Sequence, residues 1–171
     1  VKCGFPTESL RNEITFRLEN AADFIPAIEC WSGRGYTERI IDGYPLARAG
    51  RNTRSLSEKA FEMWDAYIEP SARYVESSEY VNDLNSQINS LFEKENVVRK
   101  HVDIETSKEV ISLLFTKLYR CEKKIKIVKS HGDLQPGNIW VQNDNEEIVI
   151  IDWETFAERS ALYDRAMLFD N

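Results

Sequence analysis

Leu10, Ile14 and Leu18 recur at i, i+4 and i+8. That spacing predicts a helix from about Glu8 to Asn20 with one apolar stripe, its start punctuated by Pro6 and Thr7. Two short runs follow, Ala27 to Trp31 and Tyr36 to Ile41, flanking Ser32-Gly33-Arg34-Gly35. Glycines at a short loop can take the positive φ of a hairpin turn, so the two runs read as an antiparallel pair. Asp42-Gly43-Tyr44-Pro45 is dense in turn residues and should end the pair, which makes it the expected boundary between two lobes. From Ser55 to Arg120 the texture is almost entirely helical. Ser55-Leu56-Ser57-Glu58 has the form of a capping box, and Leu56, Ala60, Trp64 and Tyr67 follow at helical spacing up to Pro70, predicting a helix over Leu56 to Ile68. A second helix, Ser78 to Lys94, is expected to bury Val81, Leu84, Ile88 and Leu91. A third, Ile104 to Arg120, is expected to bury Val110, Leu113, Leu114 and Leu118. The pattern then shortens to strands at Ile125 to Val128, Ile139 to Val141 and Ile148 to Ile151, with Asn143-Asp144-Asn145 as the turn between the last two.

Composition narrows this picture to one soluble α+β domain. With 171 residues, 42% hydrophobic and 30% charged, the chain can bury roughly 70% of its unfolded surface. Twenty-two Lys+Arg against 29 Asp+Glu leave a net charge of −7, so no broad basic surface exists for a phosphate backbone, and nucleic acid is not the expected partner. The longest aliphatic run, Ile148 to Ile151, is far short of the ~20 residues that cross a bilayer, and no signal pattern opens the chain. A cytoplasmic protein without a membrane partner is expected. Cys3, Cys30 and Cys121 are odd in number and lack metal spacing, so they read as small packing residues.

The chemistry concentrates in His131-Gly132-Asp133-Leu134-Gln135-Pro136-Gly137-Asn138-Ile139-Trp140, followed by Ile150-Ile151-Asp152-Trp153-Glu154. Pro136 and Gly137 forbid a continuous helix, so Asp133 and Asn138 lie on a loop, and Asp152 ends a strand. If the loop folds back, these three converge: one carboxylate able to accept a proton, and an amide and a carboxylate as hard oxygen ligands. That ligand set suits Mg²⁺, which keeps water and substrate phosphates in its octahedron.

His-Gly-Asp-x-x-x-x-Asn with a downstream Ile-Asp-Trp-Glu resembles the aminoglycoside phosphotransferase and choline kinase-like small-molecule kinases, relatives of the protein kinases. The resemblance implies a protein-kinase-like fold, with residues 1–44 a truncated N-lobe remnant and residues 45–171 a mainly helical C-lobe carrying the catalytic-loop hairpin. It implies a phosphotransferase that uses ATP or GTP and Mg²⁺ on a hydroxyl of a small molecule. In that reading Asp133 is the catalytic base, Asn138 and Asp152 hold Mg²⁺, and His131 is structural.

The same resemblance extends upstream to the nucleotide. Glu13 would pair with an ATP-binding lysine, for which Lys2 is the candidate; the other reading of the two is a terminal lysine in water and a helix-surface glutamate. The stretch Glu38-Arg39-Ile40-Ile41 resembles the inter-lobe hinge, with backbone groups at Glu38 and Ile40 for the base. No Gly-rich phosphate loop precedes Lys2, and the chain stops soon after Tyr163-Asp164-Arg165-Ala166, so a piece of a longer protein is expected. Trp153-Glu154 in place of Phe-Gly, with no Ala-Pro-Glu after it, points away from protein substrates. Asp133, Asp152, Glu154, Glu158 and Asp164 would give the site a negative field favouring a cationic alcohol; alternatively these acids are metal ligands plus a solvated surface helix. The competing functional class is a non-catalytic, pseudokinase-type binding module or an inactive fragment.

Overall fold

The computed structural model describes residues 2–3, 8–32, 35–94, 103–121 and 123–169, in a mixed α+β arrangement. The chain divides into two compact units, residues 1–72 with 128–171 and residues 73–127. Tyr44 therefore lies inside the first unit.

In the first unit, β1 (Lys2–Cys3), β2 (Ile28–Ser32) and β3 (Gly35–Glu38) form an antiparallel sheet in the order β1-β3-β2. Lys2 pairs with Tyr36, and a register shift interrupts β2 between Ile28 and Cys30. Helix α1 (Glu8–Glu19) packs Leu10 and Ile14 against Tyr36 and Ile28. Its other buried positions are Glu13, Phe16 and Arg17, whereas Leu18 is exposed. The cause is a second partner: Phe16 stacks on Trp153 with ring centroids 4.7 Å apart and meets Phe156 at 3.9 Å. At about 100° per residue the buried arc then runs from Phe16 through Arg17 to Ile14, and Leu18 falls outside it.

The expected turn at Asp42 to Pro45 is instead a strand, β4 (Gly43–Pro45), at the edge of a three-stranded sheet and antiparallel to Trp140, Val141 and Gln142. The edge position explains how Pro45 is accommodated without a backbone donor. Gly43 is required there, because a Cβ would stand 2.3 Å from the Val141 carbonyl oxygen. Strands β7 (Ile139–Gln142) and β8 (Ile148–Ile150) form the expected hairpin, Ile139 opposite Ile150 and Val141 opposite Ile148. Helix α2 (Thr53–Ile68) begins three residues before the expected start. Ser55 does not cap it: its hydroxyl donates to the Asn52 carbonyl, and Glu58 pairs with Arg54 at 3.2 Å. Trp64, Leu46, Leu134, Ile139, Val141, Ile150 and Trp153, all fully buried, form the centre of this unit's core. Strand β9 (Ala157–Ser160) and helix α5 (Tyr163–Phe169) complete the unit.

The second unit holds β5 (Arg73–Glu76), a strand the sequence pattern did not predict, paired with the first half of β6 (Lys124–Ser130). Helix α3 (Ser77–Lys94) packs on α4 (Ile104–Tyr119), whose start Asp103 caps by accepting from the Thr106 amide and hydroxyl. Val81 is buried as expected, but Leu91, Val110, Leu113 and Leu114 are exposed. Helix α4 is apolar around much of its circumference, and the half-buried stripe is Ile111, Phe115 and Leu118. A groove of about 560 Å³ runs between the two helices, lined by residues such as Ile88, Phe92, Phe115 and Tyr119. Among the described residues no helix is long and apolar enough to cross a membrane. Cys30 and Cys121 are free thiols, Cys30 exposed rather than packed.

Candidate functional site

The loop between β6 and β7 is pinned from beneath by one carboxylate. Asp164, buried near the start of α5, accepts from Trp64 Nε1 (2.9 Å) and His131 N (2.9 Å) through Oδ2, and from Ser130 Oγ (3.0 Å) and Gly132 N (2.9 Å) through Oδ1. Burying a carboxylate without a cation is costly unless its lone pairs are filled, and here four donors fill them. This corrects the charge reading of the sequence: Asp164 is buried beneath the loop and lies on no solvated face. Its neighbourhood in the sequence does not show it as an anchor, since Trp64 lies 100 residues away.

His131 is fully buried. Its Nε2 meets the Ile151 carbonyl at 3.0 Å, and its Nδ1 accepts from the Asp133 amide at 3.3 Å. A carbonyl only accepts and an amide N–H only donates, so these partners specify the neutral ring with hydrogen on Nε2. Burial pushes the imidazole pKa below its usual value against the opposing pull of Asp164, which favours the same neutral form. Gly132 next to it has φ +85°, and a Cβ there would meet the Thr155 carbonyl oxygen and Arg159 Nη1, each at 2.5 Å. Only glycine satisfies both conditions. Thr155 also donates its hydroxyl to the His131 carbonyl at 3.0 Å, tying the loop to the segment after Asp152.

Past Gly132 the loop folds back on itself. Asn138 Nδ2 donates to the Asp133 carbonyl (2.9 Å) and to Asp133 Oδ2 (2.8 Å), and Gln135 Nε2 reaches the same Oδ2 at 3.1 Å. These contacts fix the amide of Asn138 by its nitrogen, so its carbonyl oxygen faces the other way. They also load one oxygen of Asp133 and not the other. The Ile151 amide donates to the Asn138 backbone carbonyl at 2.9 Å, extending the β7–β8 ladder by one rung and placing Asp152, the next residue, at the same end of the hairpin as Asn138. Asp152 itself is left-handed, φ 66° and ψ 63°, a conformation uncommon for a residue with a side chain. Trp153 anchors it, fully buried and donating Nε1–H to the Ile150 carbonyl at 2.9 Å.

From the opposite side comes Glu13. It is fully buried, which removes the helix-surface alternative. One oxygen from each of Glu13, Asp152 and Glu154 lies within 4.8 Å of the others. Three carboxylates this close repel one another, and an oxygen-rich cradle of that kind suits a hard cation such as Mg²⁺. Glu154 and Glu13 thus stand with Asp152 where the sequence pattern had named Asn138 and Asp152 alone. Tyr36, also unmarked by the sequence pattern, donates its hydroxyl to Glu13 Oε1 at 2.6 Å. Burial, then the bond to Glu13 and its charge, raises the phenol's pKa, keeping it a donor. The expected nucleotide positions are less uniform. Lys2 pairs with Tyr36 through its backbone and its side chain lies outside the described residues; Glu38 directs its carboxylate to Arg17 Nη2 at 2.5 Å; Ile40 is 92% exposed beyond β3.

A search of the curated proteins finds no match. A family model for choline/ethanolamine kinase matches residues 48–171, which contain Asp133, Asn138, Asp152, Glu154 and Asp164. With well over half its length matched, and with the motif loop folded back as described, the chain belongs to the choline/ethanolamine kinase family.

Proposed function

We propose that this chain transfers a phosphoryl group from ATP or GTP to a hydroxyl of a small, cationic alcohol, with Mg²⁺. The observation that carries the reading is the grip of Asn138 on Asp133: the amide nitrogen holds Asp133 Oδ2, so the second carboxylate oxygen is oriented to take a proton from an acceptor hydroxyl. Phosphoryl transfer asks little covalent chemistry of a protein and much positioning. Here positioning is the work of Asp164, His131 and Gly132, which hold the loop rigid beneath Asp133. Asp152, with Glu154 beside it, and Asn138 would hold Mg²⁺, which when bound neutralises charge on the transferred group. Lys2 would serve the phosphates with Glu13 as its partner, and the backbone between Glu38 and Ile40 the base. In this reading β1–β3 with α1 form the nucleotide side of a kinase-like fold, and the remaining acids Asp133, Asp152, Glu154 and Glu158 favour a cation in the acceptor.

The test is turnover of ATP and GTP by the purified chain with Mg²⁺ against amino-alcohols, amino sugars and aminoglycosides. Asp133→Asn should lower turnover by roughly 10²–10⁴-fold while leaving nucleotide affinity nearly intact. Asp152→Ala should lower both. Nucleotide binding without turnover on any acceptor would make the chain a binding module, and equal loss of nucleotide affinity in both variants would show the two roles misassigned.

A further inference from the structure

Arg17 is a buried arginine, its side chain about 1% exposed, that joins three separate segments. Nε and Nη2 both donate to the Pro26 carbonyl, at 3.0 and 2.5 Å; Nη2 also meets Glu38 Oε2 at 2.5 Å; Nη1 meets Glu13 Oε1 at 3.4 Å, one helical turn back. The guanidinium lies over the Tyr36 ring, 4.7 Å from its centroid, and Tyr36 in turn bonds the same Oε1 of Glu13. A helix needing only to fill space at this position would carry a leucine or methionine, since a desolvated guanidinium is costly unless its donors are used. Here they are used on the end of β3, on the segment before β2, and on Glu13.

We propose that Arg17 and Tyr36 are positioning residues for the nucleotide half of the site: they fix the carboxylate of Glu13 against Asp152 and Glu154 and tether α1 to the strand leading toward Ile40. The inference rests on the phosphotransferase reading. Left to themselves, three carboxylates within 4.8 Å would drive Glu13 away, and with it α1. Two donors on Glu13 Oε1, one of them cationic, oppose that, and the stacking of Phe16 on Trp153 holds the helix from its other side. The group so held is, in that reading, the partner of the lysine that meets the nucleotide's phosphates, while Asp133 is held by a separate set of bonds. Losing the brace therefore weakens nucleotide binding and leaves the acceptor side alone.

The test compares Tyr36→Phe, Arg17→Met and Arg17→Lys in the full chain by calorimetric titration with Mg·ATP and by amide hydrogen exchange. Tyr36→Phe keeps the ring under the guanidinium and removes only the hydroxyl, so it guards against a variant that merely fails to fold. We expect Mg·ATP to bind roughly 10-fold more weakly in Tyr36→Phe and in Arg17→Met, the size usual for groups that orient a ligand-holding side chain, with Arg17→Lys intermediate because one ammonium cannot span three segments. Exchange should quicken in α1 and not in β7–β8. Unchanged Mg·ATP affinity in both Tyr36→Phe and Arg17→Met would overturn the inference, as would a loss accompanied by faster exchange throughout the hairpin, which marks a merely structural brace. If the unmodified chain bound no Mg·ATP, the phosphotransferase reading would fall and this inference with it; binding by the unmodified chain that the variants do not alter defeats this inference alone.

Discussion

Replacing Asp164 is the severest test of how the loop is held. Asp164→Ala strands the indole N–H of Trp64 and the amides of His131 and Gly132 in a dry interior, while Ser130 can turn its hydroxyl elsewhere. A buried donor without a partner costs about 1–3 kcal/mol, so three of them, partly relieved by relaxation, amount to about 3–5 kcal/mol. At this chain length that lowers Tm by about 6–20 °C. Asp164→Asn should cost less. Its amide can keep oxygen toward Trp64 and His131 and set its nitrogen against Ser130, whose hydroxyl can accept; only the Gly132 amide then faces another donor, at about 1–3 kcal/mol. Urea unfolding of both variants, and of each combined with Trp64→Phe, measures this directly. The Trp64→Phe change should cost clearly less in the Asp164→Ala background than alone, because the bond it removes is already gone. Equal stabilities for Ala and Asn, or additive costs in the double variant, would refute the argument that this carboxylate organises the loop through those donors.

Gly132→Ala should destabilise the chain by about 2–4 kcal/mol, since φ +85° and a Cβ contact of 2.5 Å with a backbone oxygen both oppose it; thermal melting checks this. The pH dependence of stability carries the signature of His131. Its native pKa lies below the unfolded value of about 6.5, so the unfolded chain takes up the proton first as pH falls. The contribution of the neutral buried ring is complete above that value and declines as pH drops below it. Urea midpoints between pH 8 and 5 should fall in the unmodified chain, and His131→Gln should lose that part of the slope.

Several features were legible in the sequence because short-range physics settles them. The 3.6-residue period located α1 to α4 within a few residues, and the short apolar runs on either side of Asn143-Asp144-Asn145 located the β7–β8 hairpin. The motif loop was readable because Pro136 and Gly137 force the chain to turn between Asp133 and Asn138, and the next strand returns Asp152 to the same end. Strands β4 and β5 were not readable, since three or four residues acquire strand character only when a partner, β7 or β6, offers its hydrogen-bonding edge.

Which side chains are buried was decided by tertiary structure. Periodicity shows that a helix has apolar positions but not which arc meets a surface, and this is why Leu18, Val110, Leu113 and Leu114 lie in water where the spacing alone had placed them inside. The same holds for acids. Asp133, Glu13 and Asp164 are all carboxylates on the page of the sequence; one keeps an oxygen clear of its loop contacts, one is held by Tyr36 and Arg17, and one is enclosed by Trp64, Ser130, His131 and Gly132. A carboxylate's role is set by how many donors surround it, and those donors come from segments up to 100 residues away, brought together only by the packing of the core.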